Sequence, residues 1–241
     1  MKTGLIVITG ASSGFGMEMA KKFHGEGNPL LLLARRIEPM EALGFDNVII
    51  RSVDVTDASQ VEAAIKEAEE VYGPTEVLVN NAGVMQLGNV WNQDPAEWTT
   101  MIDVNVHGVL NGIRAVINGM IEREHGTIIN ISSIAGFKTF TNHAVYSATK
   151  YGVHALTETL RSEVSGSNVR VLLVSPGAAE TELLSHTTND AIKDGYVEWK
   201  ETMGGKAMDP KYVAEVVSMM VNMPQEVSIR EVVIAPTKQD N

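Results

Sequence analysis

Leu5-Ile6-Val7-Ile8-Thr9-Gly10-Ala11-Ser12-Ser13-Gly14-Phe15-Gly16 is an apolar, β-branched run that passes directly into a glycine-rich segment. The residues after it, Met17-Glu18-Met19-Ala20-Lys21-Lys22-Phe23, are good helix formers with apolar side chains at helical spacing. Strand, glycine-rich turn and helix in this order form the setting in which a glycine pattern points to dinucleotide binding. Gly10 permits the tight turn, Gly14 lets backbone approach a phosphate, and Gly16 allows close helix–strand packing. The helix N-terminus, with its free N–H groups and positive dipole end, then faces the pyrophosphate.

Outward from this unit the chain alternates strands with helices. Apolar runs at Leu5–Thr9, Leu30–Ala34, Val48–Ser52, Val77–Asn80, Thr127–Ser132, Val169–Ser175 and Val232–Ala235 lack polar alternation, as expected for a parallel sheet covered on both faces. Helical patterns lie near Phe15–Glu26, Ala58–Tyr72, Ala96–Arg123, Ser147–Val164 and Pro210–Met223. Arg35–Asn47 is short and holds Pro39, so its helix is expected to be truncated or irregular. The expected fold is an α/β, doubly wound (Rossmann-type) parallel sheet of about seven strands, with ligands at the strands' carboxyl ends.

The 241 residues carry no linker-like stretch, charge block or repeat, so 1–241 reads as one domain. A cofactor half covers about 1–130, a catalytic and substrate half about 131–241, and a lid about 182–208. The absence of cysteine excludes disulfides and thiolate-bound metal. The six histidines have no zinc-ligand spacing, and no metal is expected. A net charge of −11 argues against nucleic acid or anionic membrane as general partners. The sequence runs directly into a strand without a charged leader and has no apolar run of membrane-spanning length, so a soluble, cytoplasmic protein is expected.

Ser133, Tyr146 and Lys150 carry the chemistry. Tyr146 and Lys150 share a helix face at i, i+4 spacing. A phenol with an ordinary pKa of about 10 is a poor proton acceptor near neutrality, and an ammonium beside it favours the phenolate. Lowering that pKa by about three units takes roughly 4 kcal/mol, within reach of a close charge shielded from water. Ser133 closes the apolar run from Gly126, which places its hydroxyl at a strand end. A Tyr-x3-Lys pair alone is a weak signal, and most such pairs are solvated helix residues. Its meaning depends on its surroundings.

Those surroundings resemble the short-chain dehydrogenase/reductase family, in its compact, non-extended subclass. Thr9-Gly10-x3-Gly14-x-Gly16 has that subclass's glycine spacing. Asp54-Val55, Asn80-Asn81-Ala82-Gly83, Asn105, Ser133, Tyr146-x3-Lys150, Pro176-Gly177 and Thr181 follow in family order across most of the chain. The resemblance implies hydride transfer between a nicotinamide and an alcohol or carbonyl, with Tyr146 as general acid/base. Ser133 would hold the substrate oxygen, Lys150 would lower the Tyr146 pKa and bind the nicotinamide ribose, and Asn105 would hold a water in a proton relay to Lys150. It further implies cofactor contacts from Gly10, Ser12, Ser13, Gly14, Phe15, Gly16, Asp54, Val55, Asn81, Ala82, Gly83, Tyr146, Lys150, Pro176, Gly177, Ala179 and Thr181. Ala179 and Thr181 would lie near the carboxamide. Asp54-Val55 reads either as an adenine contact or as a helix-capping neighbourhood, since Asp57 can cap the helix that follows. Asn80 reads as a brace of the sheet.

Charge decides between cofactors. An acid ending the second strand would accept from a ribose 2′-hydroxyl and repel a 2′-phosphate. Here that position is Ala34, followed by Arg35 and Arg36, and guanidinium forks suit phosphate. NADP(H) is therefore expected over NAD(H), although paired arginines are also common on solvated loops. Ser133, Ala135, His143 and Tyr146 are expected to meet the substrate. Leu183, Leu184, Tyr196, Trp199, Met203 and Met208 of the lid face Phe137 and Phe140 across a partly apolar pocket, a pattern that lid-to-body packing would also produce. Many relatives are homotetramers, and Ala148, Gly152, Ala155, Leu156 and Leu160 offer a small, apolar helix face for such assembly or for burial within the subunit. Two other readings stay open: an NAD(H)-preferring dehydrogenase, and a non-catalytic regulator that senses NADP(H).

Overall fold

A computed structural model of the chain describes residues 4–239. Seven parallel strands form one sheet in the order β3-β2-β1-β4-β5-β6-β7: β1 (Leu5–Thr9), β2 (Leu30–Ala34), β3 (Val48–Ser52), β4 (Thr75–Asn80), β5 (Gly126–Ile131), β6 (Val169–Pro176) and β7 (Glu231–Ile234). Alternate residues of the central strands feed two separate cores. Ile6 and Ile8 pack on one face with α1 (Gly14–Gly25) and α8 (Lys211–Val221). Leu5 and Val7 pack on the other with α3 (Ala58–Tyr72), α5 (Gly108–Glu122) and α6 (Ala144–Glu163). Burial on both faces explains the unbroken apolar runs of β1 and β2 and the full burial of β6. At the two ends of the sheet that expectation fails. β3 exposes Arg51 and Ser52, and β7 alternates exposed Glu231 and Val233 with half-buried residues, because an edge strand has fewer neighbours to cover it.

One helical detail matches the sequence expectation and two differ from it. The segment after β2 holds only the single turn α2 (Glu38–Glu41), as Pro39 and the short connection imply. The single helix expected over Ala96–Arg123 is divided into α4 (Pro95–Ile102) and α5 by a π turn, Asp103–His107. An additional helix, α7 (Asp190–Thr202), crosses the lid; it buries no residue fully, and Ile192 and Tyr196, four residues apart, pack on the body.

β6 also carries a buried cation. Arg170 is 5% exposed and donates to Val221 O (3.1 Å), Met223 O (2.9 Å) and Thr127 Oγ1 (2.9 Å). It satisfies carbonyls that the end of α8 leaves without helical partners, where the helix dipole also favours positive charge. Arg170→Met is expected to cost about 2–4 kcal/mol, because several buried acceptors lose a charged donor together. Urea unfolding with an unchanged m-value measures this; a loss below about 0.5 kcal/mol would mean that water replaces the guanidinium there.

The strand order reverses between β1 and β4, so the crevice at their carboxyl ends is the place where this architecture holds ligands.

Candidate active site

The glycine turn lies at that crevice. Gly10 and Gly14 have φ of +65° and +51°, a region costly for residues with a side chain. A Cβ on Gly10 would lie 2.8 Å from the Ala82 Cα, and one on Gly16 would lie 2.3 Å from the Gly10 carbonyl oxygen. Strand β4 is tied to the turn by hydrogen bonds. The Asn81 amide donates to Thr9 O (2.9 Å) and Gly10 O (3.2 Å), and Thr9 Oγ1 accepts from the backbone N–H groups of Asn81 and Ala82, both at 3.0 Å. Thr9 is thus a site-building residue that the sequence reading passed over. The Asn81 side chain thus braces the turn, and Asn81 lines the cavity as expected of a cofactor neighbour. Ser13 is the N-cap of α1, yet its hydroxyl takes no part in capping, and Ser12, Ser13 and Phe15 line the cavity. Asn80 braces the sheet as expected, donating to Asn130 Oδ1 at 2.9 Å.

Ser133 follows β5 and begins a 3₁₀ turn, Ile134–Gly136. Its Oγ accepts from Ala135 N at 3.1 Å and hydrogen-bonds the Tyr146 hydroxyl. Tyr146 and Lys150 are both 5% exposed on the first turns of α6. The Lys150 ammonium sits 5.8 Å from the Tyr146 ring centroid and donates to Ile131 O at 3.0 Å. Burial pushes the Lys150 amine down to about 8 and pushes the Tyr146 phenol above its ordinary range, with the Ser133 hydrogen bond opposing the latter. This reverses the direction expected for Tyr146. In this arrangement desolvation outweighs the ammonium, which is itself weakened by burial and turned to a carbonyl. His154, one turn beyond Lys150, bonds the Ser133 backbone and approaches Ser175 Oγ (3.3 Å) and Glu231 Oε1 (3.8 Å). It supports the serine from behind and was not legible as a site residue.

Asn105 lies in the π turn, which explains how a poor helix former is housed there. Its Oδ1 accepts from Val84 N (2.8 Å), and its Nδ2 donates to Val84 O (2.9 Å) and Thr149 Oγ1 (3.1 Å). These three bonds make the side chain a clamp on the segment after Gly83.

At the other end of the cavity Arg35 and Arg36 follow β2, both exposed. Arg36 donates to Glu182 Oε2 at 2.7 Å, whereas Arg35 makes no ion pair among the described residues. Asp54 Oδ1 accepts from Thr56 N (3.0 Å) and Thr56 Oγ1 (2.8 Å), and Asp57 caps α3. Asp54 thus stands in a capping neighbourhood, and Asp54 and Val55 also line the cavity. Pro176 and Gly177 end β6, and Ala179 bridges to Met208. Thr181 caps a 3₁₀ turn, Glu182–His186, and lies against the glycine turn, 3.3 Å from where a Gly14 Cβ would stand. One cavity of about 1160 Å³ is lined by Gly10, Gly14, Arg35, Ser133, Tyr146, Lys150 and Thr181, whereas Gly16, Asn105 and His154 do not line it. Its far wall is apolar: Val84, Met85, Leu87, Ala135 and Tyr146 form a cluster on which Phe140, Leu183, Leu184, Ile192 and Tyr196 pack. His143 begins α6 with its ring 6.2 Å from that of Tyr146, and burial lowers its pKa. Thr187 anchors the lid, donating to Met85 O at 3.2 Å and accepting from Leu87 N at 3.1 Å.

The family model of short chain dehydrogenases matches residues 4–191. The chain belongs to the short-chain dehydrogenase family. An uncharacterized oxidoreductase of Staphylococcus saprophyticus is 40% identical over 99% of this chain and 98% of its own. Among solved structures, the closed form of a serine dehydrogenase complexed with NADP+ has a TM-score of 0.91 at 32% identity, covering 98% of this chain and 96% of that one. An alcohol dehydrogenase from the archaeon Thermococcus sibiricus, complexed with 5-hydroxy-NADP, has a TM-score of 0.85 at 25% identity, covering 99% and 98%. This short-chain dehydrogenase is accordingly an oxidoreductase, and the set Ser133, Tyr146 and Lys150 occupies the cavity that its sheet topology creates.

Proposed function

We propose that the protein is an NADP(H)-dependent oxidoreductase interconverting a secondary alcohol and a ketone, or an alcohol and an aldehyde, with Tyr146 as general acid/base. The observation that carries this reading is the buried Tyr146 hydroxyl facing half-buried Ser133 at the wall of a cavity that continues to the glycine turn. The residues fit a nicotinamide dinucleotide. The turn is stripped of Cβ atoms at Gly10 and Gly14, Ser13 leaves its hydroxyl outside the helix cap, and the first-turn N–H groups of α1 are suited to a pyrophosphate. Gly10, Ser12, Ser13, Gly14, Phe15 and Gly16 would hold that group, Arg35 the 2′-phosphate, and Lys150 the nicotinamide ribose. The bound cofactor supplies the hydride chemistry.

The chain's own residues orient and move a proton. Ser133 Oγ fixes the substrate oxygen against the Tyr146 hydroxyl. In reduction Tyr146 donates its proton to that oxygen; in oxidation the phenolate takes it back. Lys150 favours the phenolate through its charge and passes the proton inward, toward the main chain of the π turn at Asn105. The lid and the apolar wall exclude water from this exchange.

Substrate class follows from the wall. The cations nearest the reacting hydroxyls have other partners: Lys150 faces Ile131 O, and Lys200 pairs with Glu180 at 2.8 Å. Among the described residues, a substrate carboxylate would meet no unpaired cation within that apolar cluster and would lose hydration without compensation. Uncharged alkyl or aryl ketones are expected to exceed serine and other hydroxy acids by at least tenfold in kcat/KM. A steady-state screen of alcohols and ketones with both cofactors tests the activity and this order together. Turnover of none of them would remove the catalytic reading, and a preference for serine would remove the substrate class.

Assembly is proposed as a homotetramer through α5 and α6. On α6, Ala148 and Ala155 are exposed and Gly152 borders open space, whereas Leu156 and Leu160 partly pack on the core. Exposed Leu110 and Tyr151 extend the same face. Light scattering is expected to give a fourfold mass at micromolar concentration; a monomer mass would end this proposal.

A further inference from the structure

One histidine on the lid is unexplained by the mechanism above. His186 closes the 3₁₀ turn Glu182–His186, half-buried, and lines the cavity together with Arg35, Arg36 and Glu182. Its Nδ1 is buried and has no hydrogen-bond partner among the described residues. A buried ring nitrogen without a partner is unfavourable and calls for an explanation, and because it has almost no accessible surface a ligand in the cavity would reach it only after the turn shifts. The surroundings narrow what that explanation is. The Arg36–Glu182 pair at 2.7 Å draws this lid turn against the loop after β2, so three nitrogen-bearing side chains and one carboxylate converge at one end of the cavity. Asp54, the other acid lining that end, has its Oδ1 turned onto Thr56.

We propose that His186 is the third member of the 2′-phosphate site, binding the phosphate from the lid as an imidazolium opposite Arg35, while the phosphate competes with Glu182 for Arg36. A phosphate monoester carries about −1.5 to −2 charges near neutrality and offers several acceptor oxygens, enough for all three donors. The inference rests on the NADP(H) reading above and adds to it a role for the lid: the phosphate would tie the turn after Thr181 to the loop after β2. NAD(H), lacking that group, would leave Glu182 with Arg36 and His186 neutral.

The electrostatic sign supports the same outcome. Burial and the two nearby guanidiniums lower the His186 pKa from its ordinary value, with Glu182 opposing. A bound dianion reverses the balance, so His186 takes up a proton on binding, and affinity for the phosphorylated cofactor rises as pH falls toward the ordinary histidine range. The effect is confined to pH values where the phosphate is still largely dianionic.

The test is equilibrium binding of NADP+, NAD+, 2′,5′-ADP and AMP by calorimetry, on wild type, His186→Ala and His186→Lys. In wild type the Kd ratio of NAD+ to NADP+ is expected to rise about three- to tenfold between pH 8 and 6.5, below the limit of one decade per pH unit that a single proton sets. In His186→Ala the ratio should be smaller at pH 6.5 and nearly flat with pH, whereas His186→Lys should keep a high ratio that is also flat. Titration in buffers of different ionisation enthalpy should show more protons taken up with 2′,5′-ADP by wild type than by His186→Ala. A strong NADP+ preference in wild type that is independent of pH and unchanged in His186→Ala overturns this inference and leaves the cofactor reading intact. A wild type with no preference for NADP+ over NAD+ ends both.

Discussion

Tyr146→Phe is expected to lower kcat by about two to four orders of magnitude, the range that a positioned general acid or base contributes. Phenylalanine fills the same buried space and loses only the hydrogen bond with Ser133, worth about 1 kcal/mol. The melting temperature and the dissociation constants for cofactor should therefore change little. The pH profiles add a second readout. In the proposed mechanism reduction uses the phenol as donor, and burial keeps that proton on Tyr146 well past neutrality. Lys150, which would resupply it, is held near 8, so reduction should be fastest below about pH 8 and fall above it. Oxidation needs the phenolate and should climb with pH over the same interval. In Lys150→Met the inflection near 8 should vanish, and both turnover and cofactor affinity should fall because Lys150 has two tasks. A Tyr146→Phe enzyme within tenfold of wild type on a verified substrate would reject the role assigned to the tyrosine.

The parts of this molecule that were readable in advance are those whose physics is local. A buried parallel strand writes itself as a continuous apolar run, and the turn between Gly10 and Gly16 needs glycine because a Cβ would meet backbone. Tyr146 and Lys150 share a face because four residues make about one helical turn. What was not readable depends on partners far away in sequence. Asn81 and Asn105 are both polar residues at the expected places, yet their amides are committed to Thr9, Gly10, Val84 and Thr149. Nothing in the local sequence distinguishes such a brace from a ligand contact. The pKa of Tyr146 was misjudged for a related reason: spacing reports that Lys150 is near, while the burial that dominates belongs to the assembled cavity. Helix α7 escaped because it is polar over most of its length and Gly195 interrupts its propensity, although Ile192, Tyr196 and Trp199 lie at helical spacing. The Arg36–Glu182 pair joins the end of β2 to the lid and could be found only once the fold had brought them together.

That pair makes the cofactor prediction sharper than the sequence allowed. Because Glu182 already holds Arg36, the guanidinium that is free to receive a 2′-phosphate at no cost in a broken ion pair is that of Arg35. A charged hydrogen bond contributes about 1.5–3 kcal/mol, so Arg35→Ala is expected to weaken NADP(H) roughly tenfold to over a hundredfold. NAD(H) has no group at this position and should be nearly unaffected. Arg36→Ala should cost less than Arg35→Ala, since it frees Glu182 as it removes a phosphate ligand, and the exposed pair it breaks is worth at most about 1 kcal/mol. Ala34→Asp should act on both cofactors in opposite senses: a carboxylate at the end of β2 repels the phosphate and accepts from a free 2′-hydroxyl. The measurement is the pair of dissociation constants, by fluorescence titration of the reduced cofactors, for wild type and the three variants. Higher ionic strength should shrink the Arg35 effect, because the guanidinium is exposed at the cavity rim and screened by salt. Equal weakening of NADP(H) and NAD(H) by Arg35→Ala, or a wild type that binds NAD(H) more tightly, would refute the assignment and return both arginines to the surface.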